Sequence, residues 1–155
     1  MAGKQVSASI TIDAPPSVVF AILADPAQHS RIDGMDAVGS VLEGPERITS
    51  VGQVFTVEMV MYGRYYTVSN QVVEFAENRL IAWRNVSPNR WRYELEPTAD
   101  GGTKVTESFD YSRTNLITRL VMRYTGLLKR NHDGIVETLA RLKAAAEADA
   151  RLRTT

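Results

Sequence analysis

The chain has 155 residues, 44% of them hydrophobic and 23% charged, ordinary values for one globular core. Eighteen Lys and Arg balance eighteen Asp and Glu, so no global basic field concentrates the protein on nucleic acid. Cysteine is absent, which excludes a disulfide framework, a thiol nucleophile and cysteine-bound metal centres; His29 and His132 stand in no tight ligand spacing, so neither a metal site nor a cofactor is expected.

From Gln5 to Asp13, Val6, Ala8, Ile10 and Ile12 alternate with Ser7, Ser9 and Thr11, the period of two that sends one strand face into a core. The opening MAGKQVSASITIDAPP lacks an apolar leader core, and no run reaches the roughly 18 apolar residues of a membrane span. A cytoplasmic chain without integral membrane association is therefore expected. Ala14-Pro15-Pro16 stops the strand, and Val18, Val19, Ile22 and Leu23 give Ser17–Ala24 helical spacing, with Asp13 the expected N-cap. Asp25-Pro26 restarts the chain in a second short helix reaching Ser30.

After Gly34, strand patterns fall at Ala37–Glu43, Gln53–Met61, Tyr65–Phe75, Arg79–Asn85, Arg90–Glu96 and Thr103–Tyr111. The separators include Tyr62-Gly63-Arg64, Glu77-Asn78, Pro88-Asn89 and Asp100-Gly101-Gly102, short turn-formers that make successive strands antiparallel neighbours. Trp91, Tyr93 and Leu95 alternate with charged residues. On the next strand Val105, Glu107, Phe109 and Tyr111 share a face, so Glu107 is placed among apolar side chains. From Thr114 the period turns helical through Leu116, Ile117, Leu120, Val121, Tyr124, Leu127, Leu128, Ile135, Val136, Leu139 and Leu142. A kink or break is expected near Gly126, because glycine weakens a helix by about 1 kcal/mol relative to alanine. Ala144–Ala148 should carry the helix close to its end, and Arg151–Thr155 should fray.

This order implies an α+β architecture. A curved seven-stranded antiparallel sheet wraps around a long C-terminal helix, with two short helices after the first strand. One domain is expected over 1–155, with its core at about 5–148. One helix cannot fill such a sheet, so an internal apolar pocket remains.

Three stretches carry a family resemblance: SITIDAPPSVVFAILADPAQHSRID, VVEFAENRLIAWR, and WRYELEPTADGGTKVTESFDY before LKRNHDGIVETLARLKAAAE. The chain resembles the SRPBCC (START-like) superfamily over nearly its whole length, which implies the helix-grip fold, and within it the actinobacterial polyketide cyclase/dehydrase-like members. The superfamily contains carriers, sensors and enzymes, so the resemblance specifies the fold more than the activity.

The expected ligand-lining residues are Phe55, Val57, Met59, Trp91, Tyr93, Val105, Phe109, Tyr124, Leu128 and Ile135. Glu107 must be paired, hydrogen-bonded or protonated, since a bare buried carboxylate is costly, and an arginine pair or a ligand-orienting role is expected. Two functions stay open. One is binding of a hydrophobic small molecule, lipid or polyketide-like, as carrier or sensor. The other is cofactor-independent cyclisation, aromatisation or dehydration of a polyketide-like substrate, with Glu107 as acid/base, Tyr93 and Tyr111 as hydroxyl donors and His29 at the mouth. Arg119, Arg123 and Arg130 share a helical face that is either simply solvated or turned to an anionic headgroup or membrane surface. Homodimerisation through a sheet edge or the VFTVEMVMYG tract is a further expectation.

Overall fold

The computed structural model describes residues 4–154. Its strands are β1 (Gln5–Ile12), β2 (Val38–Glu43), β3 (Val54–Met61), β4 (Arg64–Ala76), β5 (Leu80–Arg84), β6 (Arg90–Pro97) and β7 (Thr103–Asp110). They form a seven-stranded sheet in the order β1-β7-β6-β5-β4-β3-β2. Every pairing is antiparallel, so β2 to β7 run as a meander and β1 closes onto β7. The helices are α1 (Pro16–Leu23), α2 (His29–Ile32), α3 (Leu116–Tyr124) and α4 (Leu127–Arg153), with a 3-10 turn at Pro26–Gln28 before α2.

Local chemistry explains the departures from the sequence expectations. Pro15, not Asp13, is the N-cap of α1 and makes no side-chain cap bond; the Asp13 backbone N–H instead donates to Glu147 Oε2 at 2.8 Å. Asp25 caps the 3-10 turn by accepting from the Ala27 N–H at 3.0 Å. Gly126, at φ 76°, separates α3 from α4, a left-handed conformation that glycine adopts freely. α4 runs through Arg153 to a cap at Thr154. The expectations attached to residues 1–3 and Thr155 lie outside the described residues.

α4 packs on β1, β7, α1 and α2. Its buried side chains, among them Ile135, Leu139 and Leu142, join Ile12, Val105, Val19 and Leu23 in the core. The helix therefore covers the β1–β7 side of the sheet, and the concave side of β3 and β4 is left for the short helices to close. Two glycines set that closure. A Cβ on Gly34 would stand 2.6 Å from Gly134 O and from Thr138 N of α4, and one on Gly134 would stand 2.5 Å from Met35 Cε. The loop after α2 can thus lie directly on the α4 backbone, where the Gly34 N–H donates to Thr138 Oγ1 at 2.9 Å. Among the described residues no helix is long and apolar enough to cross a membrane.

Candidate functional site

A cavity of about 260 Å³ lies between the concave face of the sheet, α2 with its following loop, and α4. On β3 and β4, Phe55 pairs with Asn70, Val57 with Val68 and Met59 with Tyr66. All six line the cavity. Exposure rises along this ladder from 1% at Phe55 to 40% at Tyr66, so the cavity opens toward the β3–β4 turn. Trp83, Trp91 and Tyr93 continue the wall across β5 and β6, and Ile135 and Thr138 close it from α4. The volume lies just below the range of small-molecule sites, which run from roughly 300 to 1,000 Å³. Space of this size suits one ring system or one short chain.

The polar groups cluster on the inner wall. Glu107 faces Tyr93 across the β6–β7 ladder, is 2% exposed, and accepts a hydrogen bond from the Tyr93 hydroxyl. Its Oε1 is buried and has no hydrogen-bond partner among the described residues. Burial pushes the Glu107 carboxyl up to about 8; the Tyr93 bond pulls the other way, and the negative charge of Asp33 adds to the rise. At neutral pH Glu107 therefore holds its proton and presents an O–H donor as well as acceptor oxygens. Burial, then the neighbouring Glu107, holds the Tyr93 hydroxyl well above the usual tyrosine range. The arginine pair allowed for Glu107 is not formed: its partner is a tyrosine.

His29 is buried on the same wall, stacked on Trp83 at 4.8 Å with an 18° interplanar angle and edge-on to Phe55 at 5.4 Å. Its Nε2 donates to the Leu23 carbonyl at 2.8 Å, which makes Nδ1 the acceptor of the neutral ring. Burial holds His29 below its ordinary value, against the Leu23 bond and the charges of Asp25 and Asp33. Asp33 accepts the backbone N–H of Met35 at 3.0 Å through Oδ1 and those of Ala37 and Val38 at 2.6 and 2.8 Å through Oδ2. This fixes the loop that forms one lip. Among the described residues no three metal-ligating side chains converge.

The residues singled out in the sequence divide by place. Phe55, Val57, Met59, Trp91, Tyr93, Ile135, Glu107 and His29 line the cavity. Val105 is fully buried in the core, and Phe109 packs on Trp91 at 4.8 Å, outside the lining. β7 ends at Asp110, so the alternation that aims Glu107 inward stops one residue before Tyr111. Tyr111 and Leu128 border a separate surface groove with Lys4, Leu116, Arg119, Leu120 and Arg123. Tyr124 is 85% exposed on α3. Asp33, Trp83, Asn70, Asn85 and Tyr66 also line the cavity and are absent from the sequence-based set. Asn70 carries the same signal as Glu107, a polar residue on the Tyr66–Val68–Val72 face of its strand.

Sheet, gripped helix and a cavity with an inward carboxyl group define a helix-grip architecture. Residues 4–147 match the family described as polyketide cyclase/dehydrase and lipid transport, and the chain belongs to that family. An uncharacterized protein of Mycobacterium tuberculosis, Rv0088, is 36% identical over 140 residues, covering 89% of this chain and 62% of that protein. The chain thus spans about three fifths of the length of that relative. Among solved structures, protein NE0264 of Nitrosomonas europaea superposes with a TM-score of 0.72 at 17% identity, over 96% of this chain and 97% of that one. Protein Ms6760 of Mycobacterium smegmatis gives 0.68 at 17% identity, over 94% and 92%. At such identities these two establish the shared fold alone.

Proposed function

We propose that the protein binds a small, mostly apolar molecule, lipid or polyketide-like, as a cytoplasmic carrier or sensor, and anchors one carbonyl or hydroxyl group of it at Glu107. The observation that carries this reading is the buried, unpartnered Glu107 Oε1 on the wall of an otherwise apolar cavity. A buried polar atom left unmatched costs about 1–3 kcal/mol, and a ligand oxygen at Oε1 removes that cost. Because Glu107 is protonated at neutral pH, it donates to a ligand carbonyl. A ligand carboxylate beside it would add a second charge next to Asp33, so an acidic ligand is expected to leave its charged end at the mouth. Native mass spectrometry after gentle purification, with thermal shifts against fatty acids and aromatic polyketides, tests the reading. A bound small molecule or a saturable shift is expected, and Glu107→Leu should weaken binding about tenfold, the size of one lost hydrogen bond. A protein that captures none of these ligands and shows no shift overturns it.

A second reading is supported by the convergence of Glu107, Tyr93 and His29 on one cavity. Cyclisation, aromatisation or dehydration of a polyketide-like substrate needs a proton delivered to a carbonyl or hydroxyl oxygen and one removed from carbon. In this reading Glu107 is the acid, supported by Tyr93, and His29 Nδ1 is the base. Glu107→Gln separates the two: a catalyst loses turnover by roughly 100-fold with binding largely kept, whereas a carrier changes only in affinity or stability.

A further inference from the structure

α3 is an amphipathic helix worn inside out. Leu116, Ile117, Leu120, Val121 and Tyr124 follow one another at spacings of one and three residues, which places them on one face. All five are exposed. The side chain that α3 buries in the protein is Met122. An apolar helical face normally supplies the packing that holds a helix in place, so a solvated one signals an unfilled contact.

The charge around it is one-sided. Arg113, Arg119, Arg123, Lys129 and Arg130 fall between Tyr111 and His132 with no Asp or Glu among them. Arg113 pairs with Asp110 and Lys129 with Asp133. Arg119, Arg123 and Arg130 have no salt-bridge partner among the described residues, and Arg119 Nε is buried without a hydrogen-bond partner. Arg119 and Arg123 border, with Lys4, the groove at the foot of α3.

Sheet register places further apolar groups at the same end. β7 runs into α3 from Asp110, which pairs with Arg90 at the start of β6. The β5–β6 connection, with fully exposed Val86, therefore lies at this end, and Thr114 hydrogen-bonds Asn89 of that connection. Gln71 pairs with Arg84 at the end of β5, so β4 back to Arg64, and the turn joining it to β3, project past that end. Tyr62 at the tip is 89% exposed and sits at φ 53°, a left-handed position that bulky residues rarely take. The cavity opens toward this turn.

We propose that α3, with the β3–β4 tip at the same end of the sheet, docks peripherally on an anionic lipid bilayer, and so presents the cavity mouth to the membrane. The chemistry fits: an apolar helical face enters the acyl boundary, flanking arginines meet lipid phosphates, and tyrosine suits the interface. A second copy of the chain is a poorer occupant, because a symmetric contact would set these unopposed cations against themselves. The delivery of ligand rests on the cavity-binding reading above, whereas docking itself does not.

Vesicle co-sedimentation tests it, with phosphatidylcholine vesicles against vesicles containing 30% phosphatidylglycerol. Binding to the anionic vesicles is expected to be at least tenfold stronger and to fall at least tenfold in high salt. The double variants Ile117→Ser/Val121→Ser and Arg119→Gln/Arg123→Gln should each lose at least tenfold, with unchanged circular dichroism. Glu107→Leu should bind vesicles like the parent, so a failed cavity reading leaves this result standing. Equal binding to both vesicle types, full binding by both double variants, or a dimer in light scattering that Ile117→Ser/Val121→Ser dissolves without any vesicle binding would overturn the proposal.

Discussion

The two sides of the sheet are written in the same alternating code and end in different physical states. On the β1–β7 side, Ile12 and Val105 are fully buried against α4 and meet Leu139, Leu142 and Ala146 in continuous packing. On the β3–β4 side, Phe55 and Val57 are buried, yet Met59, Tyr66 and Val68 face a cavity instead of a helix. Strand sequence does not make the difference; the position of α4 does. A helix laid against β1 and β7 cannot also reach β3. The gap is closed by α2 and its loop, which approach through Gly34 and Gly134. Stability is concentrated on one side, and room for a ligand on the other.

Removing methylene groups from each side should expose this contrast most strongly. Leu142, fully buried under α4, should cost about 2–5 kcal/mol as Leu142→Ala, because its neighbours cannot collapse into the space. Met59→Ala on the cavity wall should cost about 1 kcal/mol or less, since its side chain already borders empty space and part of its surface is wet. Urea unfolding of both variants measures the pair. Equal losses would mean that the β3–β4 side is as tightly packed as the other.

Much of this division is legible in the chain and some of it is not. The strands fall close to where period-two patterns and turn residues place them: Gln53–Met61 is expected and Val54–Met61 is found. The apolar environment of Glu107 follows from its strand neighbours by the same rule. Asp33 is different, because its role depends on the backbone N–H groups of Met35, Ala37 and Val38 turning back upon it, and no side-chain pattern records that. α3 is the sharpest case. Leu116, Ile117 and Leu120 read as the core face of a helix, and periodicity reports only that a face exists, not whether it points inward.

Protons offer a second way to separate the sides, because the raised carboxyl belongs to the cavity. Glu107 holds its proton up to about 8 in the folded protein against 4.5 in the unfolded chain. Between those values unfolding releases a proton, so the stability this group contributes is complete below 4.5 and lost as pH rises to about 8. The slope is about 1.4 kcal/mol per pH unit. His29 has the opposite sign. Its value is lowered from 6.5, so unfolding takes up a proton below that pH and acid favours the unfolded chain. The two slopes oppose one another just below 6.5, and only the Glu107 loss remains above. Glu107→Gln should remove that loss, giving a variant roughly 4 kcal/mol more stable than the parent at pH 8 and no more stable at pH 4.5. Parallel pH profiles for variant and parent in chemical denaturation would show that Glu107 ionises normally.

The glycine pair at the seam should give smaller effects than Leu142→Ala or Glu107→Gln, and the contrast between its members is informative. A Cβ on Gly34 would press on backbone atoms of α4 at 2.6 Å, which cannot move without shifting the helix. Gly34→Ala should therefore cost about 1–3 kcal/mol, as overpacking does. A Cβ on Gly134 meets Met35 Cε at 2.5 Å and Cγ at 2.9 Å, part of a flexible side chain that can rotate away. The gain of about 1 kcal/mol from replacing a mid-helix glycine should then offset the crowding and leave stability within about 1 kcal/mol of the parent. Met35 lines the cavity, so displacing it should change ligand affinity instead. Gly134→Ala is thus expected to alter the thermal shift produced by a cavity ligand while barely moving the midpoint of the free protein. A large loss of stability in Gly134→Ala would show that Met35 is locked in place, and that the cavity lip is as rigid as the packed side of the sheet.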